Sequence, residues 1–421
     1  MKYCLTLLFV FLFLTPIVSN ADVERRKDQY GSDFGYYFYP IAGEIPGLGT
    51  STGFGGSILN MGDNDTDVTG YYIRGDFSAT GIAFLDLQLF PKRLVFDVAY
   101  NDYMVAPISY NRGLDSDPDD FIQPKVEGHY VLGQMTLTFD QRRYETFLRV
   151  MTGVDRLHEV LDSDGNAFAD IDQSWKTYNQ ISIGGSIDLT DDRLDPRVGS
   201  RIETNIRLPQ NEAASDTEYL SLDVNLTQYI SMRRWDTLVI NVFGSQSIVT
   251  RKGETDFASV KASVGLGCES IADSSEKNAC FQAESLRINQ TIAHRKYGTT
   301  SSLGGTQRLR SFNNYRFYAS KVFFYGLEYR WNLTDEHTPF DIFIAKGIRT
   351  GIQLAAFIER GSVSDGYREL LEEGRTSYGA GFRMVLSGVV IRFDLANGNE
   401  GIQSQLFITY PWSMFSVDNP G

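Results

Sequence analysis

The sequence predicts an all-β protein: a transmembrane antiparallel β-barrel of sixteen strands with one external loop folded inward. Three observations lead there. Hydrophobic and polar residues alternate with a period of two in segment after segment, where a helix would show a period of 3.6. The connections are short on one side and long and acidic on the other, as in barrels with short periplasmic turns and long external loops. Beyond residue 21 no segment is apolar over the ~20 residues a spanning helix needs, so any insertion into a membrane must be as β-structure.

At the N-terminus, Lys2, the apolar run from Cys4 to Val18 and the A-x-A-like Ser19-Asn20-Ala21 read as a signal peptide over residues 1–21, cut after Ala21. Lys2 is its one charged side chain, so the formal charge of −14 becomes −15 on processing. An acidic chain of pI 4.8 is a poor partner for nucleic acid. A short segment, 22–35, precedes a barrel over 36–415 and a tail over 416–421. Tyr71 to Phe90 reads as one long aromatic strand, and Gly47 to Leu59 as the first strand. Pro91-Lys92 and Leu386 to Gly388 are short turns, whereas Met61 to Asp67, Gly113 to Gly128 and Leu161 to Gln173 are long acidic loops.

Alternation is cleanest in mid-chain. Ile181, Ile183, Ile187 and Leu189 are interleaved with Ser182, Gly184, Ser186 and Asp188; Ile202, Thr204, Ile206 and Leu208 with Glu203, Asn205 and Arg207; and Leu220, Leu222, Val224 and Leu226 with Ser221, Asp223 and Asn225. Fourteen segments read clearly as strands, and a further pair is expected between residues 256 and 292. That region holds Cys268 and Cys280, which in an exported protein read as a disulfide closing a loop. The side of the membrane it occupies depends on whether that pair of strands exists.

Next comes "SSLGGTQRLRSFNNYRF", residues 301–317, with Arg308, Arg310 and Arg316 among small polar residues. The staves that follow turn charges and small residues inward. Gly326, Glu328 and Arg330 lie opposite Phe323, Tyr325, Leu327, Tyr329 and Trp331. Gln353, Ala355, Phe357 and Glu359 lie opposite Ile352, Leu354, Ala356 and Ile358. Gly379, Gly381 and Arg383 lie opposite Phe382 and Met384, and Arg392 and Asp394 opposite Ile391, Phe393 and Leu395. Buried charges need partners. The expectation is that the 301–317 loop enters the lumen and that Arg310 pairs with Glu359 and, second, with Asp394, its planar fork serving two carboxylates. Gly379 and Gly381 are expected to give the loop clearance. Leu406, Ile408, Tyr410 and Trp412 then form the outer face of a closing strand that pairs with the first.

Motifs for enzyme chemistry are weak. Gly49-Thr50-Ser51-Thr52-Gly53 fits G-x-S-x-G, but that elbow needs a helix after the serine and Phe54 to Leu59 reads as strand. The four histidines have no metal-ligand spacing, and the acidic runs keep no EF-hand pattern. Neither an enzyme nor a cofactor is expected.

Several stretches, in order, resemble the bacterial surface antigen barrel superfamily. It includes the outer-membrane protein assembly insertases, the translocation and assembly module and the two-partner secretion transporters. Asp192-Arg193-Leu194-Asp195-Pro196 followed by Gly199 is similar to its D-x-R-x-x-P-x-x-G turn. Gly304-Gly305 with Leu309-Arg310-Ser311-Phe312 resembles the signature of its sixth external loop, and Glu328-Tyr329-Arg330 the E-x-R of the next stave. Phe357 to Gly361 resembles F-x-D-x-G, Gly379 to Arg383 G-x-G-[FL]-R, and Arg392-Phe393-Asp394 R-x-D. The resemblance covers about residues 188 to 415. Ser311 stands where the signature has glycine and Glu359 where it has aspartate, which implies a relaxed loop geometry. Between Ala21 and the first strand there is no room for a polypeptide-transport-associated domain.

The resemblance implies a barrel in the outer membrane of a Gram-negative bacterium, surrounded by lipid and lipopolysaccharide. It would assist insertion or translocation of protein or lipid, acting on an unfolded outer-membrane protein client or with a separate periplasmic partner. The alternative is a passive channel or a plugged structural barrel.

Overall fold

The period-two segments fold as strands that pair antiparallel in chain order, each with the next, into one sheet. In this computed structural model, residues 23–30 and 34–414 are described, apart from 63–64, 166, 168–171, 209–215, 234–235, 266, 271–273, 335–344, 347–349, 387–388 and 413. The signal peptide, most of the Leu386 to Gly388 turn and the 416–421 tail lie outside the described residues.

Among the described residues sixteen strands have eight or more residues. The first eight are β1 (Gly35–Ile45), β2 (Gly49–Leu59), β3 (Asp67–Gly75), β4 (Ser78–Phe90), β5 (Leu94–Val105), β6 (Phe121–Phe139), β7 (Tyr144–Asp162) and β8 (Lys176–Asp188). The second eight are β9 (Gly199–Arg207), β10 (Glu218–Ser231), β11 (Thr237–Arg251), β12 (Lys321–Asn332), β13 (Thr350–Ser364), β14 (Arg375–Leu386), β15 (Val389–Gly398) and β16 (Gly401–Ile408). Cross-strand partners share a face, so alternation in each strand becomes two continuous surfaces. Ile183, Ile206, Ile240, Leu327, Ile358 and Phe393 are exposed on the outer one, while Ser182, Asn205, Asn241, Glu328, Glu359 and Asp394 are buried on the inner one. Apolar outside and polar inside is the pattern of a barrel in lipid. Among the described residues no helix is long and apolar enough to cross a membrane.

Four expectations need correction. The loop expected over Gly113 to Gly128 ends at Asp120, because β6 begins at Phe121 and pairs from there. Tyr71 to Phe90 is two strands, because the chain turns at Asp76-Phe77: the Asp76 carboxylate accepts from Thr50 N–H at 2.8 Å and the Asp76 N–H donates to Thr50 O at 2.9 Å. Gly47 to Leu59 contains the second strand; the first precedes it and pairs with it over eleven residues. Residues 256–292 add no strands. They form α1 (Phe257–Val264), a short 3-10 turn (Cys268–Ser270) and most of α2 (Ser274–Tyr297). The α2 sequence is rich in Glu, Lys, Gln, Arg and Ala, good helix formers without period-two alternation. It buries Ile288 on an otherwise largely polar surface, and tertiary anchors hold it in place. Arg295 meets Asp216 at 3.0 Å, Gln290 donates to Asn111 at 2.7 Å, and the His294 ring stands edge-on to Tyr219.

Cys268 and Cys280 are joined as a disulfide that ties the short turn to α2, with their Cα atoms 5.6 Å apart. Because no strand interrupts residues 252–320, this disulfide lies on the same side of the sheet as the 301–317 loop. That side also carries the connections 106–120, 163–175 and 365–374, but the expected division into a long-loop and a short-turn side is incomplete: the Met61 to Asp67 loop and the 333–349 connection lie on the opposite side, with Pro91-Lys92. The opposite side carries the N-terminal segment. There Arg26 Nε meets Asp191 at 2.7 Å, Arg25 donates to Thr190 O at 3.0 Å, and the Tyr30 hydroxyl donates to Lys92 O at 2.9 Å.

Candidate functional site

The 301–317 segment is a compact hairpin inside the barrel. Leu303 and Phe317 bridge its stem, the Gly305 N–H donates to Phe312 O at 2.9 Å, and the Gly304 N–H donates to Arg308 O at 3.0 Å. Gly304 and Gly305 have φ of +108° and +90°, and a Cβ on either would collide with residues 313–316, so glycine is required at both. Leu303, Leu309, Phe312 and Phe317 are fully buried in one cluster with Phe324 of β12 and Trp412.

This packing drives Arg310 into the wall. Its side chain has no exposed surface and faces three carboxylates: Glu359 from Nε at 2.8 Å, and Glu328 and Asp394 from Nη1 at 3.0 and 2.9 Å. The Arg310 backbone N–H also donates to Glu359, at 2.9 Å, and its guanidinium lies on the Phe357 ring, 3.3 Å from the centroid. Three further arginines complete the network. Arg383 spans Glu328 (2.9 Å) and Asp394 (2.6 Å), Arg330 holds Glu328 (2.8 Å), and Arg392 holds Asp394 (2.6 Å). Every carboxylate thus has at least one guanidinium, which offsets the desolvation of buried ions. Arg392 also donates to Thr306 O of the loop, and Gln405 of β16 donates to Arg310 O at 2.9 Å. With the Ser311 N–H donating to Ser377 of β14 at 3.0 Å, the arrangement holds the loop to five staves at once.

The other arginines of the loop are anchored differently. Arg316 pairs with Glu400 at 2.9 Å and donates to Ser116 O at 2.6 Å. Arg308 lies on the Phe243 ring, 3.8 Å from the centroid, and donates to Asn225 at 3.2 Å.

The two ends of the sheet meet in an overlap. Among the described residues β16 pairs with β15 and no ladder joins it to β1. Instead the inner face of β1 lies over the outer face of the last strands. Tyr37, Tyr39 and Ile41 cluster with Leu386, Met384, Ile391 and Ile408, and a Cβ on Gly43 would stand 2.6 Å from that of Leu406. Ser404 and Glu44 are 3.4 Å apart near the other end of the overlap. At its start, β1 pairs with Ala345–Lys346 from the connection between β12 and β13. Side chains, with few backbone bonds, close this seam. A strand edge without ladder partners is costly in lipid, so the seam is the weak line round the wall.

A family model described as the Omp85 superfamily domain matches residues 90–406, well over half of the chain. The chain belongs to the Omp85 superfamily. No curated protein matches it in sequence. Among solved structures it is similar to BamA from Haemophilus ducreyi lacking POTRA domains 1-3, with a TM-score of 0.48 and 11% identity over 89% of this chain and 69% of that one. It is also similar to CdiB from Escherichia coli (TM-score 0.49, 10% identity, 89% of this chain and 62% of that one) and CdiB from Acinetobacter baumannii (0.47, 9%, 89% and 59%). The chain thus spans about three fifths of the length of the two CdiB structures.

In this Omp85 barrel the structure brings Arg310, Glu359 and Asp394 together, with Gly304, Gly305 and Phe312 shaping the loop. It gives Gly379 and Gly381 another role than clearance for the loop. A Cβ on Gly379 would stand 2.7 Å from the Phe357 ring, and one on Gly381 would overlap the Asp394 carboxylate, so these glycines make room for the side chains that receive Arg310. The loop's own clearance comes from Gly398, whose missing Cβ leaves space for the buried Ser311 side chain. Sequence reasoning missed Glu328, Arg383 and Arg392 as members of the network. Their inward placement on β12, β14 and β15 was the available signal.

It also misplaced the end of the chain. The closing strand stops at Ile408, Thr409 takes a φ of +110°, and Tyr410 and Trp412 leave the outer face for the lumen. Trp412 is 2% exposed and its Nε1–H donates to Glu359 at 2.9 Å; the Tyr410 hydroxyl donates to Asp195 at 2.7 Å. An indole or phenol whose polar end finds a buried acceptor gains more inside than on a lipid-facing wall.

Proposed function

We propose that this Omp85 outer-membrane barrel inserts or translocates protein or lipid at the outer membrane of a Gram-negative bacterium, working at the seam between β1 and β16. The observation that carries this reading is the overlap itself. The wall is continuous in backbone pairing elsewhere, and here it rests on apolar side chains and a two-residue bridge. A client strand could offer the unpaired edges the hydrogen bonds they lack. The client we favour is an unfolded outer-membrane protein, delivered with or without a separate periplasmic partner, while lipid and lipopolysaccharide surround the apolar belt. The role is mechanical and not enzymatic.

The test is crosslinking in cells from a photoreactive side chain at Phe38, which is 55% exposed on β1. Adducts with newly made outer-membrane proteins are the expected result. A folded barrel that yields only lipid adducts would overturn the proposal.

A filled lumen favours a second reading, a plugged structural barrel or passive channel. Arg310, Phe312 and Trp412 occupy space a channel would need. Under it, client adducts would be missing and conductance would rise only when the loop is released.

A further inference from the structure

We propose that residues 409–412 are an internal latch, which makes the last strand part of the arginine network so that loop and seam are released together. This goes beyond the proposed function and holds whether or not the barrel moves anything.

The chain leaves the wall through two residues in the left-handed region, Thr409 at φ +110° and Trp412 at +69°. Non-glycine residues keep such a conformation only where the surroundings hold it. Here they do. Thr409 O accepts from Arg392 Nε at 3.0 Å, while another nitrogen of the same guanidinium donates to Thr306 O, so Arg392 ties the C-terminal segment to the loop. Trp412 donates to Glu359 Oε1, the oxygen that Arg310 Nε meets at 2.8 Å. Its carbonyl accepts from Asn225 at 2.7 Å, and its ring fills the space that Gly326 leaves open.

The strand itself is tied as well, since Gln405 of β16 donates to Arg310 O. One residue further on, Leu406 faces the other way and lies under Gly43 of β1. Arg310 and Leu406 are therefore two ends of one short mechanical path through β16. If the loop leaves, β16 loses the Gln405 tie on an edge that has no ladder to β1, and Trp412 keeps a Glu359 that has lost its arginine. If β16 shifts, Glu359 loses a donor and Arg310 a carbonyl contact.

The experiment introduces a reporter thiol by Leu406→Cys in the full chain. Cys268 and Cys280 are bonded to each other, and Cys4→Ser in the same chain removes the third cysteine, so the new thiol alone reports. Its maleimide labelling is measured in outer membranes beside cleavage of the 301–317 loop by added protease. Trp412→Ala and Arg310→Ala should each speed labelling by about tenfold or more, the factor expected for losing a buried hydrogen bond to a charged group. Each should also expose the loop. The double variant should label no faster than the faster single one, because both remove the same event.

Multiplying rates, or a Trp412→Ala barrel whose thiol opens while the loop stays protected, would overturn the latch. Should Trp412→Ala fail to assemble, Trp412→Phe keeps a ring and loses only the donor. It must then reproduce the paired increase in labelling and cleavage, and a change in one alone would count against the proposal.

Discussion

Replacing Arg310 with alanine should unlock the loop without dismantling the wall, and the cost follows from which contacts survive. Glu328 keeps Arg330 and Arg383, and Asp394 keeps Arg383 and Arg392. Glu359 is different: among the described residues Arg310 is its one cationic partner, and only the Trp412 indole and the backbone N–H at 310 would remain to it. An uncompensated buried carboxylate costs about 3–5 kcal/mol. With an unfolding entropy of about 2 cal/mol/K per residue over about 380 residues, a loss of ~4 kcal/mol lowers the melting midpoint by about 5 °C. The midpoint is read from heat-modifiable migration of the detergent-solubilised barrel, and loop release from cleavage by external protease. Arg310→Ala combined with Glu359→Gln should recover part of the loss, because the isolated charge is gone. Arg310→Lys should fall between, since a point charge cannot serve three carboxylates as a planar fork does. An Arg310→Ala barrel that melts within about 1 °C of the unsubstituted one and keeps its loop protected would refute the reasoning.

Reduction of the Cys268–Cys280 disulfide should loosen the helical insertion and leave the barrel midpoint unchanged; chain entropy for a loop of this length corresponds to about 3 kcal/mol. Peptide mass spectrometry without reductant should find the two cysteines linked, and two free thiols would count against the pairing. Burial, reinforced by the nearby Arg112 charge, holds the His294 imidazole below its usual range, so it is neutral in the docked helix. A lowered folded-state value means that docking is at full strength above histidine's ordinary pKa and is lost as pH falls through it toward the folded value. Proteolysis of α2 should therefore quicken as pH falls below histidine's ordinary pKa, and a flat profile would remove His294 from the account.

The faces of the last staves could be read from single residues. Gln353 and Glu359 are inside and Leu354 and Ile358 outside because a strand has only two sides and lipid accepts only one kind of side chain. That an arginine among glycines should seek carboxylates follows from the cost of burying it alone. Which carboxylates it reaches does not follow. Glu328 and Asp394 sit on strands separated by β13 and β14, and one Nη1 touches both because wall curvature and strand register converge there. The helical insertion was misread because cysteine spacing says that a segment is stapled and not what it folds into.

Composition and period by themselves determined an all-β barrel, its inward and outward residues, the loop that fills it and the arginine at the centre of that loop. These depend on local chemistry and on the two-sidedness of a strand. Only the tertiary structure decided how the ends of the sheet meet. Leu406, Ile408, Tyr410 and Trp412 alternate as one outer face in the sequence, yet the last two turn inward because Glu359 and Asp195, more than fifty and two hundred residues away, offer acceptors that lipid lacks. Tyr37 and Tyr39 belong to an inner face and are buried against the outside of other strands, because the sheet closes by overlap. Neither contact has a local signature, since each depends on where distant strands stand once the wall has curved round.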